Sequence, residues 1–262
     1  MTTICLMWRK RELMLKIYNK DCLEKLPKIE TVKERTVIIT SPPYNMNLRV
    51  GKPNKGYKAR GFENSSSELI ATKYKNYRDD LPMEVYYDFQ KRFLTTALEK
   101  ADTVFYNIQM ITGNKVALFK LIGDFAENIK EVIIWDKLHG QPAVRDGVLN
   151  SRYEFLFILA NEASRRRFDS APFQRGTLDN LWGIRVGRHK GCKAGFPEEF
   201  VEKILLSFVT KDTLVIDPFM GSGTTGVVCK RLGYNFIGIE FDKETCENAV
   251  KRIQSETSKN IQ

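Results

Sequence analysis

Residues 213–240 read TLVIDPFMGSGTTGVVCKRLGYNFIGIE. The apolar run 213–217 has the length of a buried strand, Gly221, Gly223 and Gly226 mark a tight turn, and 224–232 has the spacing of a helix closed by Gly233. A second buried strand is predicted at 235–240, and the charged, amphipathic stretch from 243 to about 254 predicts another helix. That βαβα order is the signature of a parallel α/β sheet.

Upstream the same alternation continues. Strands are predicted at 15–18, 35–40, 103–108, 131–135 and 153–159, and helices at 22–26, 84–100 and 114–127. This makes a sheet of seven strands. The link from 135 to 153 is short and holds Gly140, Pro142 and Gly147, so the final pair is expected to form an antiparallel hairpin with a wide loop. With 262 residues, 42% of them apolar, one domain over 14–256 with long insertions is favoured over two.

Two insertions break the pattern. Residues 45–81 carry eight Lys or Arg against four acids, with Tyr57, Tyr74 and Tyr77 among them; residues 161–188 carry Arg165, Arg166, Arg167, Arg175, Arg185 and Arg188. Loops of this length usually serve a function. Basic groups beside aromatics suit phosphate neutralisation and base stacking, so Lys52, Lys55 and Lys58 in the first, and Arg165, Arg166, Arg167 and Arg175 in the second, are expected to contact nucleic acid. The net charge of +10 agrees with a polyanionic partner.

Other classes are poorly supplied. The five cysteines are scattered without a C-x-x-C pair, which suggests neither a disulfide framework nor a zinc site and fits a reducing cytoplasm; two histidines give little material for metal chemistry, and no metal is expected. No apolar run approaches the roughly 20 residues that span a bilayer, so no membrane partner is expected. The apolar start 1–8 precedes its basic cluster Arg9, Lys10 and Arg11, the wrong order for a secretory signal; a start at Met14 would make these residues dispensable.

Two constellations carry chemistry. Thr40-Ser41-Pro42-Pro43-Tyr44 follows a buried strand, and in an open parallel sheet ligands sit at the carboxyl ends of strands. An exocyclic amino group is a poor nucleophile, because its lone pair is drawn into the ring. Acceptors that bind its hydrogens favour a tetrahedral nitrogen able to attack a methyl sulfonium. Ser41 Oγ and the Pro42 carbonyl are candidate acceptors, Pro43 stiffens the turn, and the Tyr44 ring offers a face for an extruded base. The second constellation is DPFMGSGTTG at 217–226, whose G-x-G-x-x-G lets backbone approach a ligand. It lacks the Gly-Lys-Thr/Ser ending of a phosphate-binding loop. Glu240 ends the next strand, where a carboxylate can accept from both ribose hydroxyls, so NAD and S-adenosylmethionine fit equally on these residues alone.

The joint occurrence of TSPPY, DPFMGSGTT and IGIE resembles the DNA amino-methyltransferases that modify cytosine N4 or adenine N6, over nearly the whole chain from about Tyr18 to Ile253. With the catalytic motif ahead of the cofactor glycines, the order looks like the β arrangement of that family. The resemblance implies a Rossmann-like, S-adenosylmethionine-dependent fold, circularly permuted, with an antiparallel last strand and a target-recognition insertion at 161–188. It gives Ser41, Pro42, Pro43 and Tyr44 the target-base role. Asp217, Pro218, Phe219, Gly221, Ser222, Gly223 and Thr224 match the cofactor loop, and Glu240 matches the ribose acid. Asn19-Lys-Asp21-Cys-Leu-Glu is similar to the family's N-G-D-C-L-E, which puts Asp21 near the cofactor; Lys20 replaces the usual Gly. Phe196-Pro-Glu198 is present, but the family's preceding His-Pro is not, since Lys190 follows His189.

Serine at the first motif position is commoner in the cytosine enzymes of that family and aspartate in the adenine enzymes, so Ser41 points to cytosine N4, with adenine N6 as the alternative. The resemblance further implies double-stranded DNA as partner, a restriction endonuclease of the same specificity, a homodimer, and a bacterial, archaeal or phage-infected cell; RNA as substrate stays open. An NAD-dependent oxidoreductase leaves TSPPY unexplained. A DNA-binding module without catalysis leaves the intact Ser41, Tyr44 and glycine loop unexplained.

Overall fold

The computed structural model describes residues 4–6, 13–46, 79–141, 146–186 and 196–257. Its strands are β1 (Ile4–Leu6), β2 (Leu15–Asn19), β3 (Thr36–Thr40), β4 (Thr103–Ile108), β5 (Ile129–Gln141), β6 (Ser151–Ala160), β7 (Leu181–Gly183), β8 (Leu214–Asp217) and β9 (Asn235–Glu240). The helices are α1 (Cys22–Lys25), α2 (Met83–Lys100), α3 (Lys115–Asp124), α4 (Glu198–Phe208), α5 (Thr224–Leu232) and α6 (Lys243–Ser255).

All nine strands join one sheet in the order β1-β2-β9-β8-β3-β4-β6-β5-β7. Five neighbours, β2, β9, β8, β3 and β4, are parallel, so their carboxyl ends share one edge. The seven strands expected from the sequence are all present, but the sheet has nine strands among the described residues. The additional β1 and β7 are three-residue edge strands, too short to show a period. β1 pairs antiparallel with β2, so residues ahead of Met14 extend the sheet. The hairpin of β5 and β6 is antiparallel as expected; β6 also pairs antiparallel with β4, which places the later strand inside the earlier one.

Helices cover both faces because strand side chains alternate. Val37 and Ile39 point to the layer of α4, α5 and α6, while Ile38 points to that of α1, α2 and α3. Helix α4 was not foreseen, although Phe200, Val201, Ile204 and Leu205 bury a stripe of helical spacing. α5 is closed by Gly233 at φ +76°, a left-handed cap that glycine adopts without a side-chain clash.

Candidate active site

β8 leads through α5 to β9 on one side, while β3 and β4 lie on the other. The crevice between the ends of β8 and β3 is therefore a topological switch point, where open α/β sheets bind ligands. Both motifs meet here. Thr40 Oγ1 donates to Asp217 Oδ1 at 2.8 Å, joining the strand end before Ser41 to the strand end before the glycine loop. Thr225 Oγ1 donates to Asp217 Oδ2 at 2.6 Å and the Phe219 amide to Oδ1 at 3.2 Å. Asp217 is thus turned inward and serves as the frame of the loop, with both oxygens engaged by protein donors. Its burial raises the carboxyl to about 6, against the pull of these hydrogen bonds.

The glycines divide their work. Gly221, at φ +53°, has only the Phe219 carbonyl, at 3.9 Å, near the place a Cβ would take, so its outer side is open. A Cβ on Gly226 would lie 2.5 Å from Ile253 Cδ1 and 2.7 Å from the Phe236 ring, which makes this glycine a packing contact between α5, α6 and β9. Gly223 likewise faces Ala249 and Ile253. Pro218 is buried, and Phe219 packs edge-on against Phe93 at 4.9 Å. Arg252 on α6 donates to the Ser222 carbonyl and hydroxyl, both at 3.2 Å, and to Thr224 Oγ1 at 3.1 Å. Its other nitrogen reaches Glu198, which also binds Arg231. Burial pushes the Glu198 carboxyl up, but the two guanidinium groups hold it below the ordinary value. The Phe196-Pro-Glu198 stretch thus opens α4 and ties it to the glycine loop through Arg252 and to the end of α5 through Arg231.

Glu240, at the end of β9, faces the glycine loop. Its carboxylate accepts from the Gly221 amide at 2.8 Å and from the Asp242 amide at 2.9 Å, and burial raises its pKa above the ordinary value. Asn19 on neighbouring β2 donates to the carbonyls of Glu240 and Phe241 at 2.9 and 2.8 Å. Asp21 caps α1 by accepting from the Leu23 amide at 2.7 Å, on the same sheet edge. Phe241, unremarked in the sequence, is 55% exposed beside this carboxylate. A large aromatic directly after a strand-end acid was the available signal.

In the TSPPY turn, the Pro43 carbonyl accepts from Tyr86 Oη at 2.8 Å and Gln90 Nε2 at 3.3 Å; among the described residues no donor reaches the Pro42 carbonyl. Asn45, at φ +57°, exchanges two hydrogen bonds with the Leu81 backbone at 2.9 and 2.7 Å and so clips together the ends of the first insertion. Ser41 Oγ lies 2.9 Å from Tyr44 Oη, which donates to Glu154 at 2.8 Å, and Glu154 pairs with Lys137 at 2.8 Å. Tyr44 is buried, with its hydroxyl in this inner network. Glu154 and Lys137 were missed by the motif reading; charges set inside apolar strands, Glu154 in YEFLF and Asp136 with Lys137 in IIWDKL, were the clue.

The arginines fall elsewhere. β6 runs against β4, with Ala160 opposite Thr103 at the amino end of the parallel strands. Arg165, Arg166 and Arg167 follow Ala160, so they leave the sheet at the edge opposite Ser41, ~20 Å along the strand from Glu154. Arg166 pairs with Glu131, and Arg167 with Asp169 at 2.9 Å. Phe168 and Phe173, flanking the same segment, pack on Phe208 at the end of α4, and the exposed Arg175 follows. The second insertion reaches the level of the reactive edge with β7, whose Leu181, Trp182 and Gly183 pair with Ile134, Trp135 and Asp136 of β5. Its Trp182 is fully buried. Lys52, Lys55, Lys58, Arg188, His189 and Lys190 lie outside the described residues. Among the described residues no cluster of metal-ligating side chains occurs, and no helix is long and apolar enough to cross a membrane.

Solved structures of similar architecture include the cytosine-N4-specific PvuII DNA methyltransferase, with a TM-score of 0.67 and 17% identity over 95% of this chain and 88% of that one. Another is the M1.HpyAVI complex with S-adenosylmethionine, at 0.58 and 22% over 91% and 100%. They show that the fold is the Rossmann-like one of methyltransferases. Among curated sequences, the type II methyltransferase M2.LlaDCHI of Lactococcus lactis subsp. cremoris is 25% identical, over 90% of this chain and 88% of its own length. M.Cfr9I of Citrobacter freundii is 33% identical, over 49% of this chain; the match spans less than half, 45%, of that protein. A family model described as DNA methylase matches residues 36–251, and with most of its length in that match, the chain belongs to the N6/N4 DNA methylase family.

Proposed function

We propose that this DNA methylase moves the methyl group of S-adenosylmethionine onto the exocyclic amino nitrogen of a base turned out of duplex DNA, and that the base is cytosine, methylated at N4. The observation that carries the reading is the Thr40 to Asp217 hydrogen bond, which holds the Ser41 turn and the glycine loop side by side at one switch point. A methyl donor and an amino acceptor bound at these two loops stand next to each other, as direct transfer requires.

The residues fit the donor. The open side of Gly221 accepts a ligand that any side chain there would exclude, and the first turn of α5 presents its amides behind it. Glu240 stands at the strand end suited to ribose hydroxyls, and the exposed Phe241 ring beside it offers a face for adenine. Bound there, S-adenosylmethionine supplies an electrophilic methyl group on a sulfonium.

The chain's own part is to hold the acceptor. Ser41 Oγ and the Pro42 carbonyl accept the two amino hydrogens and stabilise the charge that grows on nitrogen as its lone pair turns to the methyl group. No covalent bond to the protein is needed. Cytosine is favoured over adenine N6 by Ser41 itself, through the resemblance that links serine at this position to cytosine enzymes. Type II relatives support a companion endonuclease that reads the same DNA sequence. Calorimetric titration with S-adenosylmethionine and with NAD tests the donor site: binding of the first alone is expected, and preference for NAD would overturn the assignment.

A further inference from the structure

Behind Ser41 runs a chain of buried polar groups that transfer to an amino group does not by itself require. Tyr44 Oη is surrounded by three oxygens: Ser41 Oγ at 2.9 Å, Glu154 Oε2 at 2.8 Å and Asn107 Oδ1 at 3.2 Å. The Asn107 amide is oriented by its Nδ2, which donates to the Phe155 carbonyl at 3.1 Å. Glu154 Oε1 lies 2.8 Å from Lys137 Nζ, which also reaches Gln109 Oε1 at 3.3 Å. Lys137 is 3% exposed and Glu154 7%. A buried ion pair adds little net stability over apolar residues of the same volume, so its position calls for another reason.

Counting hydrogens supplies one. The Tyr44 hydroxyl has a single hydrogen, and a carboxylate is the strongest acceptor near it; Asn107 is a longer second acceptor on the same side. With that hydrogen drawn inward, the only hydrogen left for the Ser41 to Tyr44 contact is the serine's own. Ser41 then donates to the phenol oxygen, and the lone pairs of its Oγ remain for a donor in the cleft. An amino group is such a donor.

We propose that Glu154, seated by Lys137, is a positioning residue that fixes the direction of the Ser41 to Tyr44 hydrogen bond, so that Ser41 faces the target amino group as an acceptor only. The inference rests on Ser41 receiving an amino hydrogen, as set out above. With glutamine at 154, Lys137 claims the amide oxygen and the NH2 group turns to Tyr44. The tyrosine hydrogen is then divided between Asn107 and Ser41, and whenever Ser41 accepts it, the serine hydrogen points at the amino group it should receive.

The test compares kcat on duplex DNA, S-adenosylmethionine affinity and thermal midpoint for Ser41→Ala, Glu154→Gln, Tyr44→Phe and the double variant Glu154→Gln/Tyr44→Phe. Glu154→Gln is expected to lower kcat by about tenfold with cofactor affinity unchanged. Tyr44→Phe, which merely frees the serine hydroxyl, is expected to lose less. The double variant should match Tyr44→Phe alone and exceed Glu154→Gln alone, because Glu154 acts only through the phenol hydroxyl. A purely structural role predicts losses that multiply. Multiplying losses, or Glu154→Gln at wild-type turnover beside an impaired Ser41→Ala, would overturn this inference and leave the Ser41 reading intact; Ser41→Ala at wild-type turnover would overturn both. Should Glu154→Gln melt early, Glu154→Gln/Lys137→Met leaves no unpaired buried charge, and its loss should be relieved by Tyr44→Phe in the same way.

Discussion

Replacing Ser41 by alanine removes one acceptor from the end of β3 and leaves the glycine loop, Glu240 and α5 untouched. Turnover should fall by about a hundredfold, with S-adenosylmethionine affinity unchanged, as rapid-quench kinetics and calorimetry would show. Gly221→Val reverses the pattern: a β-branched residue at φ +53° is strained, and its side chain fills the open side of the loop, so cofactor binding should be lost in the same titration. Equal loss of cofactor affinity in both variants would contradict this division of roles. Asp217 gives a pH signature. Its carboxyl titrates at about 6 in the folded protein against an ordinary 3.8, so between these values the folded state holds the proton more tightly than the unfolded state. Its contribution to stability is full below about pH 4 and is lost as pH rises through about 6, a change on the order of 3 kcal/mol. Urea melts at pH 4.5 and 7.5 should show wild type losing about 2 kcal/mol relative to Asp217→Asn as pH rises, since part of the contribution is already gone at pH 4.5; parallel pH profiles would contradict the assignment.

Helix α5 holds the glycine loop only if it lies close to α6 and β9, and Gly226 permits that approach. Gly226→Ala should destabilise the protein by about 1–3 kcal/mol, measured by chemical denaturation, because the new methyl meets Ile253 and the Phe236 ring at 2.5 and 2.7 Å. The elements that build this corner were the ones most legible in sequence: β9 at 235–240 and α5 at 224–232 appear with the predicted bounds, since their periodicity and closing glycine are local signals. α4 was equally periodic, yet its Phe-Pro-Glu start was read as a motif fragment rather than as a helix entry. Edge strands β1 and β7 gain their structure from a neighbouring strand, which local pattern does not encode. The same limit applies to Arg165, Arg166 and Arg167. Their charge was visible, but the edge they occupy follows from β6 running against β4, and that pairing is a tertiary fact. The Glu154 and Lys137 pair shows the converse, two residues distant in sequence that become one feature only when β5 and β6 pair.

At the scale of the molecule, five parallel strands bring two motifs that are 176 residues apart, Ser41 and Asp217, to a single edge, and the proposed transfer requires DNA to approach from that side. Charge on the opposite edge should then contribute little. Arg165→Ala/Arg167→Ala is expected to leave duplex affinity and its dependence on salt unchanged in fluorescence titrations; a shallower salt dependence would place phosphate against that edge instead. The circularly permuted order of the sequence is thereby reconciled with one continuous site, because β2 from the amino half and β9 from the carboxyl half pair in parallel, with Asn19 opposite Glu240. What passes between the two loops is the central claim, and the methylated product reports it directly. Duplex DNA incubated with the protein and S-adenosylmethionine labelled in its methyl group, then digested to nucleosides, should yield label in N4-methyldeoxycytidine. Label in N6-methyldeoxyadenosine would keep amino-group transfer and overturn the choice of base, whereas label on cytosine C5, or none in any nucleoside, would contradict the account.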